Sequence, residues 1–107
     1  MNMRREHLEL EALDAGLRES GGFAIAVDDN AILAARDEAA RREGFLMCPE
    51  GAATLAAYQQ AARDGRLKGG ETAVLFNCAS GLKYELPRAD AAIDLGKPID
   101  FEAMRRA

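Results

Sequence analysis

Two short segments concentrate the groups that could do chemistry: Cys48-Pro49-Glu50-Gly51 and Asn77-Cys78-Ala79-Ser80-Gly81. Glu50 follows an apolar run and a proline, where a helix is expected to begin. A carboxylate there is stabilised by free backbone amides and the helix dipole, so it reads as a helix-start acid or as a group facing a ligand. Cys78 and Ser80 flank Ala79 in a turn of small residues closed by Gly81. Small residues let a backbone approach a flat ligand closely, and a thiol or hydroxyl can hydrogen-bond a ring nitrogen. The same turn would equally hold a buried thiol acting as a small apolar group. Asn77 either orients a ligand or satisfies backbone groups at a strand end. Cys48 reads as packing.

Other chemistries lack their parts. Cys48 and Cys78 do not make a metal site, because the sole histidine, His7, lies in the first expected helix and no further ligands are at hand. Lys83 carries an amine suited to Schiff-base formation, yet nothing in its sequence surroundings would desolvate or activate it. No Ser-His-Asp set, GxxxxGK[ST] loop or GxGxxG fingerprint occurs. The 107 residues, 49% apolar and 30% charged, suit a soluble globular chain and exclude wholesale disorder. A net charge of −4 with arginines scattered beside acids gives no reason to expect nucleic acid or an anionic membrane as partner. No apolar run approaches the roughly 20 residues that cross a bilayer. The first six residues lack the apolar stretch of a secretory signal. Two cysteines are too few for a disulfide framework, so a reduced, cytoplasmic setting is the expectation.

The elements that must position these groups follow from periodicity. Leu10, Leu13 and Leu17 stand three and four apart, predicting a helix over 4–19 that Ser20-Gly21-Gly22 ends. Phe23–Val27 is a short apolar run bounded by turn residues and predicts a strand. Asp28, Asp29 and Asn30 then cap a helix over 31–43, with Gly44 beyond its end. Phe45–Cys48 predicts a second buried strand, Gly51 opens a helix over 52–63, and Thr72–Phe76 predicts a third strand. The resulting expectation is an α/β chain: a small three-layer arrangement with about three mostly parallel strands flanked by helices. Ligands bind such sheets beyond the carboxyl ends of the strands, where both chemistry-bearing segments would lie. Residues 1–87 are expected to form a single α/β domain, and 88–107 a loosely packed C-terminal tail ending in one helical turn.

Two segments take the reading further. Phe45–Thr54, containing CPEGAAT, resembles the strand-to-helix segment of bacterial threonine synthases. Val74–Pro87, VLFNCASGLKYELP, is similar to their VLFNCATGLKYPLP segment, and Leu17–Ala24 also fits that family. The resemblance spans about residues 13–87. It implies a sub-part of the tryptophan synthase β-like fold, a pyridoxal phosphate cofactor, and conversion of O-phosphohomoserine and water to threonine and phosphate. It also implies that Cys78, or the adjacent alternative Ser80, bonds the pyridine nitrogen, and that Glu50 lies near the cofactor's edge. Asn77, Ala79 and Gly81 complete the implied cofactor-binding set.

The departures are as informative. The family's Schiff-base lysine, in a motif like SFKDR, has no counterpart here, and neither does its glycine-rich phosphate loop. The expectation is therefore a C-terminal portion of a threonine synthase, inactive alone, partnered by a complementing N-terminal chain or by a second copy in a homodimer. A non-catalytic interaction or oligomerisation module derived from that fold is the alternative. A small flavodoxin-like nucleotide-binding domain is a third reading.

Overall fold

The helices form where the local signals are strongest. The computed structural model describes residues 3–89 and 91–106, with side chains from residue 9 onward. The outer limits of the two expected segments (residues 1–2 and 107) and Asp90 within the tail lie outside the described residues. Helix α1 is Met3–Ser20, α2 Asp29–Glu43, α3 Pro49–Arg63 and α4 Phe101–Arg106, with a single 3-10 turn at Gly81–Lys83. Asp28 Oδ1 accepts the Ala31 amide at 2.7 Å and caps α2. At its other end Gly44 takes a left-handed φ of 63° and its amide donates to the Ala40 carbonyl. Helix α3 starts earlier than expected, with Cys48 as cap and Pro49 in its first turn, where a missing amide proton costs nothing.

The core is an alanine seam. Ala35 and Ala39 of α2 face Ala52, Ala56 and Ala61 of α3, all buried, and Met47 seals one end. Ile32 and Leu55 pack against the Ala39–Met47–Ala52 cluster. Gln59 Nε2 donates to Glu38 Oε2 at 2.9 Å and ties the two helices across their polar edge. Burial contributes about 0.8 kcal/mol per CH₂ group, so small side chains give this seam close approach and little apolar area. Among the described residues, α2 and α3 are the one pair of helices in extensive contact.

The expected parallel sheet is absent, and the α/β assignment is corrected to a helical chain. Phe23–Val27, Phe45–Cys48 and Thr72–Phe76 carry no strand ladder. The β contact present among the described residues is one antiparallel bridge between Met47 and Ser80. The physical reason lies in what a buried parallel strand requires. Its amides and carbonyls must be paired by neighbouring strands, and both its faces must be covered. Here α2 and α3 spend their small faces on each other, leaving no layer to roof a sheet. Val74 and Phe76, at the centre and the end of the most apolar expected strand, are accordingly 90% and 79% exposed. Apolar composition marks such segments as fit for burial without specifying their partner.

The consequence is an open shape. The radius of gyration is 19.0 Å, against about 13 Å for a compact domain of this length. Leu10 and Leu13 of α1 are mostly exposed. The segment after α1 is held to the loop after α3 by Arg66, whose guanidinium lies 5.1 Å from the centre of the Phe23 ring. No described helix is long and apolar enough to cross a membrane.

Gly81 tests the Met47–Ser80 corner. A Cβ at Gly81 would sit 2.6 Å from Leu46 Cγ and 2.7 Å from the Met47 carbonyl oxygen. Gly81→Ala is expected to destabilise the corner by about 1–3 kcal/mol, read as a lower urea midpoint; an unchanged midpoint would mean that the corner is not closely packed in solution.

Candidate functional site

The two chemistry-bearing segments meet at the start of α3. Cys48 is fully buried and performs two tasks there. Its sulfur accepts the Gly51 amide at 3.3 Å, which caps the helix, and its thiol donates to Asn77 Oδ1 at 3.4 Å. Asn77 in turn donates from Nδ2 to the Ala79 carbonyl at 3.1 Å, shaping the turn that carries Cys78 and Ser80. Gly51 allows this approach, because a Cβ there would overlap the Asn77 side-chain oxygen. Alongside, the Gly81 amide donates to the Leu46 carbonyl at 3.2 Å. Ser80 Oγ accepts the Leu82 amide at 3.2 Å and caps the 3-10 turn.

A second link closes the corner from the solvent side. Tyr84 Oη donates to Glu50 Oε1 at 2.9 Å. The Glu50 carboxyl is held below its ordinary pKa, first by a hydrogen bond from its own backbone amide and then by the Tyr84 hydroxyl. Slight burial acts the other way, and the Cys48 thiol adds a small lowering. The Tyr84 phenol is pushed up, chiefly by the same hydrogen bond to the Glu50 carboxylate. Desolvation adds to this, and the charges of Glu50, Cys48 and Cys78 add less.

Of the residues singled out in the sequence, Glu50, Asn77, Ala79, Ser80 and Gly81 are thus brought into one corner. Cys78 is exposed at the tip of the turn. Lys83 ends the 3-10 turn and is also exposed. Two participants were missed. Cys48 reads as packing in the sequence, but it is also the cap, and its place immediately before a first-turn proline was the available signal. Tyr84 stands 34 residues from Glu50, and no spacing rule connects them.

A family model described as pyridoxal-phosphate dependent enzyme matches residues 3–79. The chain belongs to that family. A curated threonine synthase from Methanocaldococcus jannaschii is 36% identical over 93 residues, which are 86% of this chain and 22% of that protein. The similarity to threonine synthases noted for the CPEGAAT and VLFNCASGLKYELP segments is borne out, over a chain that spans 22% of the relative's length. Members of the family depend on pyridoxal phosphate, so the corner can be tested against that group's needs.

The corner offers small hydrogen-bonding groups of the kind that one edge of such a ring needs. Ser80 Oγ already accepts the Leu82 amide, which leaves its single proton to donate outward. Cys78 carries an exposed free thiol two residues before it, and Ala79 and Gly81 on either side of Ser80 are small. The phosphate does not fit here in the same way. The first amides of α3 are taken by Cys48, whose sulfur binds Gly51 N and whose carbonyl binds Ala52 N at 2.8 Å. In the Lys68–Glu71 loop, the Lys68 amide binds the Glu71 carboxylate.

The Glu50–Tyr84 link has a direct test. Tyr84→Phe removes the hydroxyl and should raise the Glu50 pKa toward its ordinary value, read by carboxyl-carbon NMR titration. A lowered carboxylate pKa contributes stability above the unfolded value of about 4.3 and loses it as pH falls through the folded value. In the variant this acid-side contribution should shrink; an identical titration would show that the bond does not persist in solution.

Proposed function

We propose that this chain forms the ring-nitrogen wall of a pyridoxal phosphate site in a threonine synthase, converting O-phosphohomoserine and water to threonine and phosphate. The observation that carries the reading is the Met47–Ser80 corner. It joins the two segments similar to threonine synthases, although they stand about thirty residues apart. When bound, the cofactor supplies electron withdrawal from the reacting carbons. Ser80 Oγ or Cys78 Sγ would hold the group at its ring nitrogen by donating a hydrogen bond. A neutral partner leaves that nitrogen less protonated than an aspartate would, which suits elimination and replacement at the substrate's side chain. Asn77 holds the turn in register, and Glu50, fixed by Tyr84, stands at the cofactor's edge.

The lysine and the phosphate loop come from polypeptide outside this sequence, in the same chain or in a complementing one, and the 107 residues alone are inactive. The reducing cytoplasm is the compartment in which both cysteines, free here, would stay so. The second reading, a non-catalytic interaction or oligomerisation module built on this sub-fold, is favoured by the exposure of Leu10, Leu13, Val74 and Phe76. Mass in solution separates the two: a dye-binding monomer supports the enzyme portion, and a tight dimer that excludes dye supports the module.

The primary test is an absorbance titration with pyridoxal phosphate followed by borohydride reduction and peptide mass mapping. The isolated chain should yield no lysine adduct; a stoichiometric adduct at Lys83 would overturn the claim of inactivity. Ser80→Ala should cost about 1 kcal/mol or less of stability, as loss of an exposed cap does. A loss of several kcal/mol would make Ser80 structural. Threonine formation in the complemented enzyme should fall in Ser80→Ala or in Cys78→Ala, and the variant affected identifies the ring-nitrogen partner.

A further inference from the structure

Gly51 is the residue of the corner whose identity its own element does not explain. It lies buried in the first turn of α3, followed by Ala52 and Ala53. Glycine is a poorer helix former than alanine. Its φ is not in the left-handed region, which Gly21, Gly44, Gly65 and Gly70 occupy, so the backbone does not ask for glycine at 51. Space does. A Cβ there would overlap Asn77 Oδ1 and stand 3.0 Å from Asn77 Cγ. The missing side chain leaves a socket, floored by Gly51 and walled by the Cys48 sulfur, 3.4 Å from the Asn77 oxygen seated in it.

Asn77 needs such a socket, because the chain before it gives the turn no support. Thr72–Phe76 enters no strand ladder, and Val74 and Phe76 are exposed. The far end of the turn is held separately, by the Gly81 amide on the Leu46 carbonyl at 3.2 Å and by the Met47–Ser80 bridge. Cys78 and Ala79 lie between the two attachments, with Ser80 at the second. From its seat, Asn77 Nδ2 donates to the Ala79 carbonyl at 3.1 Å. The placement of one side-chain amide is thereby passed to the peptide that joins Ala79 to Ser80.

We propose that the Cys48–Gly51 socket positions the ring-nitrogen partner: seating Asn77 there sets the 77–81 turn, and with it the Ser80 hydroxyl and the Cys78 thiol. Gly51 and Cys48 act through Asn77 and are positioning residues. The inference rests on the reading of this turn as the ring-nitrogen wall. Hydrogen bonds weaken steeply when distance or angle is lost, so a turn released at its first residue would hold a ring nitrogen poorly even with Cys78 and Ser80 intact. Glycine at 51 gives up helix propensity, and seating Asn77 is what it gains.

The test sets Gly51→Ala against the same change made in an Asn77→Ala background. Alone, Gly51→Ala favours the helix but evicts Asn77. With Asn77→Ala the socket is empty, and the added methyl meets Cys48 Sγ at 3.3 Å, which must give only a few tenths of an ångström. The urea midpoint of the 107-residue chain should therefore fall in the first background and rise in the second. A glycine that serves α3 alone would give the same sign in both. Amide ¹H–¹⁵N shifts at Cys78, Ala79, Ser80 and Leu82 should move in Gly51→Ala, while those of α2 stay in place. Unmoved turn amides, or equal signs in the two backgrounds, would overturn the socket. Should Gly51→Ala not fold, recovery of the fold in the double variant supports the proposal, and no recovery overturns it. In the complemented enzyme, the absorbance band of bound pyridoxal phosphate should shift in Gly51→Ala as it does in Ser80→Ala or Cys78→Ala. A band that moves in one of those two but not in Gly51→Ala sinks the positioning role alone. A band that moves in neither sinks the cofactor reading, and the positioning role with it.

Discussion

A buried thiol organises what order this chain has. Cys48 caps α3 from within and reaches across to Asn77. Through that one sulfur, the beginning of a helix and a turn nearly thirty residues further on share a single contact. A serine or aspartate cap would bind the helix amides more strongly but would bring a costlier group into a fully buried position. Sulfur is a weak acceptor and a weak donor that tolerates desolvation, so it can do both tasks without leaving an unsatisfied charge. The glycines at 51 and 81 follow from this arrangement, because each stands where another chain segment occupies the space of a side chain.

The helices were legible because their signals are local. Asp28 and Gly44 mark the two ends of α2, and the leucine spacing of the first helix needs no partner to be read. The strands were misread for the opposite reason. Phe23–Val27 and Thr72–Phe76 have the composition of buried strands, and composition reports what a segment can tolerate while leaving its neighbour unspecified. This sequence spans 22% of the threonine synthase it matches.

The site was half legible, and by an indirect route. Residues 48–51 and 77–81 were expected to meet at the carboxyl ends of parallel strands. They do meet, through an antiparallel bridge at Met47 and Ser80 and a thiol–amide contact, with no sheet between them. Glu50 was visible as a helix-start acid, but its phenol partner was not. Tyr84 lies beyond a turn whose path depends on where Asn77 is anchored, so its position is a tertiary fact.

The bare segment Thr72–Phe76 carries a further consequence. Its backbone groups enter no strand ladder, while Val74 and Phe76 face water, so an apolar extended segment is left with unpaired backbone groups on show. An extended segment of this composition offers another extended chain, including the same segment of a second copy, a backbone to pair with.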